Sequence, residues 1–387
     1  MTDTIEERLR EAFDARAAAV PTHPRALADN RRRLRRAEIR RAALVPCVAA
    51  GAAAAVIVPF GAHALKDGDA NALGHGDPGA LVDPATVVRI PARLPDGRPF
   101  RVDALGPDGT VAGRTPDAQL WRADRKGGTP EALNARAQGG VSAGEGSVTW
   151  IAPGSYALEC ATAGRPRQVL ADDAGSGRPV LMDQGTIAWN DVMDQPYVAS
   201  GCAAKRRILP NHGLGVLGHA VALNGSTLFA ADLMNDRVLR EIDVRSGAIK
   251  AEHALPEGVR PNGKRSVGGS AHERGSIPPP VVTVLTAEQR WQAAATGRWF
   301  AWSVDGVLRV ADRTTWRQVV RTARVPAASG AKLTAGDRLV VLSTGKGRSV
   351  LYDTATGETT VQDGEAYTAG GWLLWRDGGS YRLGRLR

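Results

Sequence analysis

Ser147-Val-Thr-Trp150 reads as a short strand, a β-branched stretch ending in a large aromatic and preceded by the turn residues Gly144-Glu-Gly146. Tetrapeptides of the same kind recur along the chain: Thr110-Val-Ala-Gly113, Thr186-Ile-Ala-Trp189, Thr227-Leu-Phe-Ala230, Trp299-Phe-Ala-Trp302, Leu339-Val-Val-Leu342 and Trp372-Leu-Leu-Trp375. Their end positions are separated by 37, 39, 41, 72, 40 and 33 residues. Five of those six gaps lie at or a little below the ~40–45 residues of a four-stranded repeat. The long gap holds EGVRPNGKRSVGGSAHERGSIPPP, residues 257–280, rich in Gly, Pro and charge and almost devoid of apolar residues. It reads as an inserted loop, not as a further repeat.

Seven repeats over residues 88–387 imply an all-β fold, a seven-bladed β-propeller. The last repeat, Trp372 to Trp375 followed by Ser380-Tyr-Arg-Leu-Gly-Arg-Leu-Arg387, lacks an outermost strand. Thr86-Val-Val-Arg-Ile-Pro-Ala-Arg-Leu94 is β-rich with no repeat of its own. It is expected to complete the last blade, because that pairing removes two open sheet edges. Ile242-Asp243-Val-Arg-Ser246-Gly247 and Tyr352-Asp353-Thr-Ala-Thr356-Gly357 share a turn in which Asp caps and Gly takes the positive-φ position. On these features residues 88–387 resemble propeller families at large: WD-repeat-like, TolB-like and pyrroloquinoline-quinone-type repeats. The quinone type would continue to a docking Trp, where this chain has Ala248-Ile-Lys and Glu358-Thr-Thr. The resemblance is to the architecture, and no cofactor is expected.

Upstream the composition changes. Ala42–Leu65, AALVPCVAAGAAAAVIVPFGAHAL, is 24 residues without Asp, Glu, Lys or Arg. That length crosses a hydrocarbon core of roughly 30 Å, so the reading is one transmembrane helix, 42–65. Ala62-His63-Ala64 resembles a signal-peptidase site, but a preceding basic region of 41 residues favours an uncleaved anchor. Arg31, Arg32, Arg33, Arg35, Arg36, Arg40 and Arg41 stand immediately before it, while only Lys66 follows closely. This asymmetry places the N-terminus in the cytoplasm and the tail outside, with the arginines against anionic lipid. In the head, 1–41, Thr4-Ile-Glu-Glu7 is a capping box, and Ile5, Leu9, Ala12, Phe13, Ala17 and Val20 make one narrow apolar face. The helix 4–20 is either a docking site for a cytoplasmic protein or an amphipathic helix on the inner leaflet. Residues 66–87, rich in Gly, Asp and Pro, read as a flexible linker. In layout the chain resembles single-pass, envelope-anchored propeller proteins of high-G+C bacteria.

The formal charge of +10 is partly concentrated in the head, where 11 Arg meet 7 acids. The tail is only mildly basic and has no stripe of cations interleaved with aromatics, so nucleic acid is excluded as a partner. Cys160 follows Tyr156 by four residues and Cys202 follows Tyr197 by five, at nearly equivalent places in adjacent repeats. Outside the membrane a Cys160–Cys202 disulfide is expected. Two free thiols result instead if equivalent positions in neighbouring blades lie too far apart.

Three motifs imitate chemistry and fail on context. Gly213-Leu-Gly215-Val-Leu-Gly218 leads into His219-Ala-Val-Ala-Leu-Asn224-Gly225, a strand and turn where a dinucleotide site needs a helix. Gly258-Val-Arg-Pro-Asn-Gly263-Lys264 continues with Arg265 where a phosphate loop needs Ser or Thr. Gly140-Val-Ser142-Ala-Gly144 leads into a strand, unlike a nucleophile elbow. His212, His219, His253 and His272 are not spaced as a metal pair, and could form a site only if loops brought them to Asp232, Asp236 or Glu273. Strand-end Trp residues read as packing between blades. The function expected is a non-enzymatic, membrane-tethered binding or scaffold module whose partner is an extracytoplasmic protein, glycan or small ligand. The alternatives are a transmembrane signalling protein, laid out like an anti-sigma factor without its His-x₃-Cys-x₂-Cys motif, and a propeller-type hydrolase or lactonase. The hydrolase needs carboxylates or histidines converging at one mouth of the central channel.

Overall fold

A computed structural model describes residues 74–174, 179–192, 195–209, 218–233, 237–259, 291–327 and 331–387. The head 1–41 with its arginines, the apolar segment 42–65, and residues 66–73 lie outside the described residues, as do His212, Asp236 and His272.

The described strands form seven sheets: six hold four antiparallel strands consecutive in the sequence, one of these with a fifth, parallel strand, and the seventh joins three consecutive strands to one from upstream. They are the blades of a seven-bladed β-propeller. Blades 1 to 6 occupy residues 101–136, 139–171, 181–208, 219–254, 291–321 and 332–363, and blade 7 begins at 366. The seven recurring tetrapeptides all fall on second strands, such as Ser147–Ile151, Thr227–Asp232 and Trp299–Val304. These strands are buried along their whole length because a neighbouring blade covers each face. A strand buried on both faces needs an unbroken apolar run, which is why this strand alone carried a recognisable signal. The fourth strand of blade 4, Ile249–Ala254, alternates half-buried and exposed residues instead. Trp150, Trp189, Trp299, Trp302 and Trp375 are all buried, as inter-blade packing requires.

The first strand of each blade packs on the first strand of the next, and Ala366–Ala369 of blade 7 packs on Arg101–Leu105 of blade 1. The seven first strands therefore line a closed central channel. Blades 4 and 5 are neighbours in this ring, so the chain between them, including 257–280, adds no blade; beyond Val259 it lies outside the described residues until Trp291.

Closure follows the sequence expectation. Val88–Pro91 is the outermost strand of blade 7, with Val88 opposite Leu383 and Pro91 opposite Ser380. The flexible linker expected at 66–87 is a docked strap from residue 74 onward. Gly74–His75 pairs parallel with Thr360 and Val361, adding a fifth strand to blade 6. Asp77 caps one short 3₁₀ turn, Pro78–Leu81, by accepting from Gly79 N–H, and Asp83 caps a second, Pro84–Thr86, through Ala85 N–H. Val82 is 1% exposed, in a core cluster with Leu339, Leu351, Leu373 and Trp375. The Gly, Asp and Pro that suggested a linker serve as caps and first helical residues; a single buried valine supplies the apolar anchor.

Cys160 and Cys202 form a disulfide, with Cα atoms 5.5 Å apart. Their equivalence needs correction. Thr162 pairs with Ser147 as Ser200 pairs with Thr186, so Val198 is the counterpart of Cys160 and Cys202 lies four residues further on. The bridge joins the third strand of blade 2 to the turn after the third strand of blade 3. Tyr156 occupies a turn at φ 55°, whereas Tyr197 is in a strand and stacks on Trp189 at 5.8 Å.

Candidate functional site: the central channel

The channel holds a cavity of about 1390 Å³, lined by the first strands of all seven blades and the neighbouring turns. First strands run from one face of the ring to the other, ending at the turn into the second strand. Residues at strand starts therefore share one mouth, and residues at strand ends share the opposite mouth.

At the mouth where strands start, Asp103 of blade 1 is held by two cations. Arg114 donates from Nε at 2.5 Å and Nη2 at 3.0 Å, and Lys332 of blade 6 donates from Nζ at 3.0 Å. Lys332 Nζ also donates to the Asp103 carbonyl, and Arg114 Nη1 donates to Ala137 O at 3.1 Å. Burial alone would raise the Asp103 carboxyl, but the Arg114 hydrogen bond and the Lys332 charge outweigh it and hold the group below the usual carboxylate range. Burial pushes Lys332 below the usual amine range, Asp103 opposes that, and Arg114 and Arg101 add to it. Beside them Tyr367 donates to Val102 O at 3.2 Å, and Tyr381 to Glu365 Oε2 at 3.3 Å. Burial raises both phenols, Tyr381 to about 12, so both remain protonated donors.

The opposite mouth is acidic. Asp183 ends the first strand of blade 3, Glu145 follows that of blade 2, and Asp337 follows that of blade 6. Burial pushes the Asp183 carboxyl above the usual range, with the charges of Asp337 and Glu145 adding to it against hydrogen bonds from Gly225 and Gln184 N–H. Three carboxylates thus converge electrostatically on one mouth. The histidines do not join them. His219 lines the channel from a first strand, whereas His253 is on the fourth strand of the same blade. At ~4.8 Å per strand step, roughly 14 Å separates those strands. His253 stacks on Trp316 at 3.8 Å and meets Glu241 at 3.2 Å, and Asp232 pairs with Arg240 at 3.5 Å. Among the described residues no three His, Cys, Asp or Glu are placed to hold a metal ion. Ser142 lies within the first strand of blade 2 and donates to Val180 O of blade 3, so it is no nucleophile elbow. His219–Asn224 is a strand, as the failed dinucleotide motif required. Gly213 and Lys264 lie outside the described residues.

Side-chain bonds from one blade to the first strand of the next were invisible in the sequence. Gln292 of blade 5 donates to Ala331 O and accepts from Leu333 N–H at 2.6 Å in blade 6, imitating a peptide group. Asn190 accepts from Ala220 N–H at 2.8 Å between blades 3 and 4. A lone Gln or Asn in a strand has no local signature; only the ring brings it to its partner.

No known protein family and no curated protein matches the sequence. Solved structures similar in shape include BamB from Moraxella catarrhalis, 11% identical, with a TM-score of 0.41, covering 75% of this chain and 86% of that one. PorZ, an essential surface component of the type-IX secretion system of Porphyromonas gingivalis, is 10% identical with a TM-score of 0.44 over 75% of this chain, which spans only 36% of PorZ. The Cps50 (Swd1) β-propeller domain of Myceliophteria thermophila is 12% identical with a TM-score of 0.44, covering 74% of this chain and 95% of that domain. The strand pairing of the chain itself carries the fold assignment.

Proposed function

We propose that this chain is a non-enzymatic binding or scaffold module, tethered by residues 42–65 with the propeller on the outer side of a cell membrane. The Cys160–Cys202 bridge carries the reading, because a structural disulfide persists in an oxidising compartment. The arginine cluster 31–41 supports the same orientation. The channel supports a binding reading, with a cation pair at one mouth and carboxylates at the other; those carboxylates are also what the hydrolase alternative requires. The test is protease added to intact cells. The propeller should be degraded while the head 1–41 survives; a propeller protected until the cells are broken overturns the topology.

The signalling alternative has one observation in its favour. The strap 74–91 follows the expected tether in the sequence and pairs with blades 6 and 7 where the ring closes, which would let a change in the ring act on the chain leading to the tether. Replacing residues 1–41 with an unrelated basic segment should then abolish a transcriptional response without changing surface display. An unchanged response removes this reading.

A further inference from the structure

We infer that the channel binds a short extended peptide with both termini free, its carboxylate at Arg114 and Lys332 and its ammonium at the acidic mouth. This rests on the binding reading above but not on the membrane tether.

The first support is a charge count. Arg114 and Lys332 share one carboxylate, Asp103, and that carboxylate is 8% exposed. Both cations keep about a third of their side chains accessible and line the cavity, at 30% and 32%. Of five guanidinium N–H groups, Arg114 uses three on Asp103 and Ala137. Lys332 uses two of its three on Asp103. Among the described residues the pair thus exceeds its carboxylate by one positive charge and keeps unused donors, which suits a second carboxylate. Arg324 and Asp305, on the same mouth, offset each other. Repulsion from Arg114 and Arg101 helps keep the Lys332 amine low, and a second carboxylate would relieve it.

The second support is the spacing. Lys332 begins the first strand of blade 6, and Asp337 lies five residues further along the same chain. At ~3.3 Å per residue that is roughly 16 Å. There Asp183, at the end of the first strand of blade 3, meets the charges of Asp337 and Glu145, and an ammonium would offset them. An extended peptide of about five residues spans that distance.

The third support is the wall between the two ends. Each first strand pairs within its blade only with the second strand. Its other edge faces the channel; neighbouring side chains take some of its main-chain groups, Gln292 those of Ala331 and Leu333 and Asn190 that of Ala220, and the remaining N–H and C=O groups are offered to an extended ligand.

The experiment is calorimetric titration of the full chain in detergent micelles with penta-alanine, and with its C-terminal amide and N-acetyl forms. Free penta-alanine should bind saturably, and each blocked form at least ~10-fold more weakly. Lys332→Met should weaken the free peptide and leave the amide unchanged. Because Lys332 also joins blades 6 and 1, Asp337→Asn is the second variant; it sits exposed at the acidic mouth and should weaken the free peptide but not the acetylated one. No saturable binding, or equal binding of free and doubly blocked peptides, overturns the inference. That outcome leaves the topology untouched, and a failed protease test leaves the titration valid.

Discussion

Gln362 is 3% exposed, and neither its Nε2 nor its Oε1 has a hydrogen-bond partner among the described residues. Leaving a buried amide unpaired costs about 1–3 kcal/mol, more than the loss of a little polar contact on replacing it with an apolar side chain of similar shape. Gln362→Met should therefore raise stability by about 1 kcal/mol, read as a higher urea midpoint at unchanged slope; a lower midpoint would show that the amide has a partner in solution. Asp103 works in the opposite sense. Its folded pKa is below the ordinary carboxylate value, so the folded state binds its proton more weakly than the unfolded chain does. The stability it contributes is complete above the ordinary value and disappears as pH falls through the folded one. Asp103→Asn leaves two half-buried cations without their carboxylate and should cost about 2 kcal/mol at pH 7, with a smaller difference from the parent at pH 3. Parallel curves for the two proteins would show that Asp103 does not titrate in this way. Trp316 illustrates what residue identity alone conceals. Asp312-Arg-Thr-Thr-Trp316 is a third copy of the Asp turn, with Asp312 accepting from Thr314 N–H at 2.8 Å and Trp316 at φ 52° where the other two turns have Gly. Stacking on His253 and packing on Phe300 compensate the strain of that backbone, so the motif survives without its glycine.

Among elements, the second strands were readable and the strap was not. A second strand such as Leu339–Ser343 is apolar at four consecutive positions because it is covered on both faces. Between residues 74 and 87 the strap fully buries only Val82 and holds to the ring by main-chain bonds, Asp83 N–H to Arg385 O at 2.8 Å and Arg387 N–H to Leu81 O at 3.2 Å. Main-chain bonds are independent of side-chain identity, so composition pointed to a linker. Val82→Asp would bury a carboxylate among Leu339, Leu373 and Trp375; it should cost about 3 kcal/mol and expose the strap to proteolysis near residue 80 before the blades are cut. Simultaneous loss of strap and blades would mean that the strap is integral to the ring. The disulfide acts between elements. It closes a loop with a sequence separation of 42, for which the chain-entropy relation gives about 4 kcal/mol. Reduction, or Cys202→Ala, should lower stability by about 2–4 kcal/mol without altering far-ultraviolet dichroism. An unchanged midpoint would place the bridge's effect outside the unfolded chain.

At the scale of the whole molecule the ring closes through one heterologous sheet, three strands from the C-terminus and Val88–Pro91 from upstream. Deleting residues through Pro91 should leave the Ser380–Arg385 edge unpaired, convert the propeller to self-associating species in size exclusion, and abolish a single cooperative transition. A monomer with an unchanged transition would show that closure does not depend on this strand. The blade count, the absence of a further blade between blades 4 and 5 among the described residues, and the closing strand were all determined by the sequence itself, since burial on two faces and open edges impose local patterns that recur with the repeat. The tertiary structure alone decided which mouth is acidic, that Lys332 reaches Asp103 across the ring, and that Cys160 meets a partner four positions out of register. Those groups are 38 to 229 residues apart, and no local pattern marks them. Electrostatics acts through space, so a channel's chemistry emerges only when the ring brings distant strands to one axis.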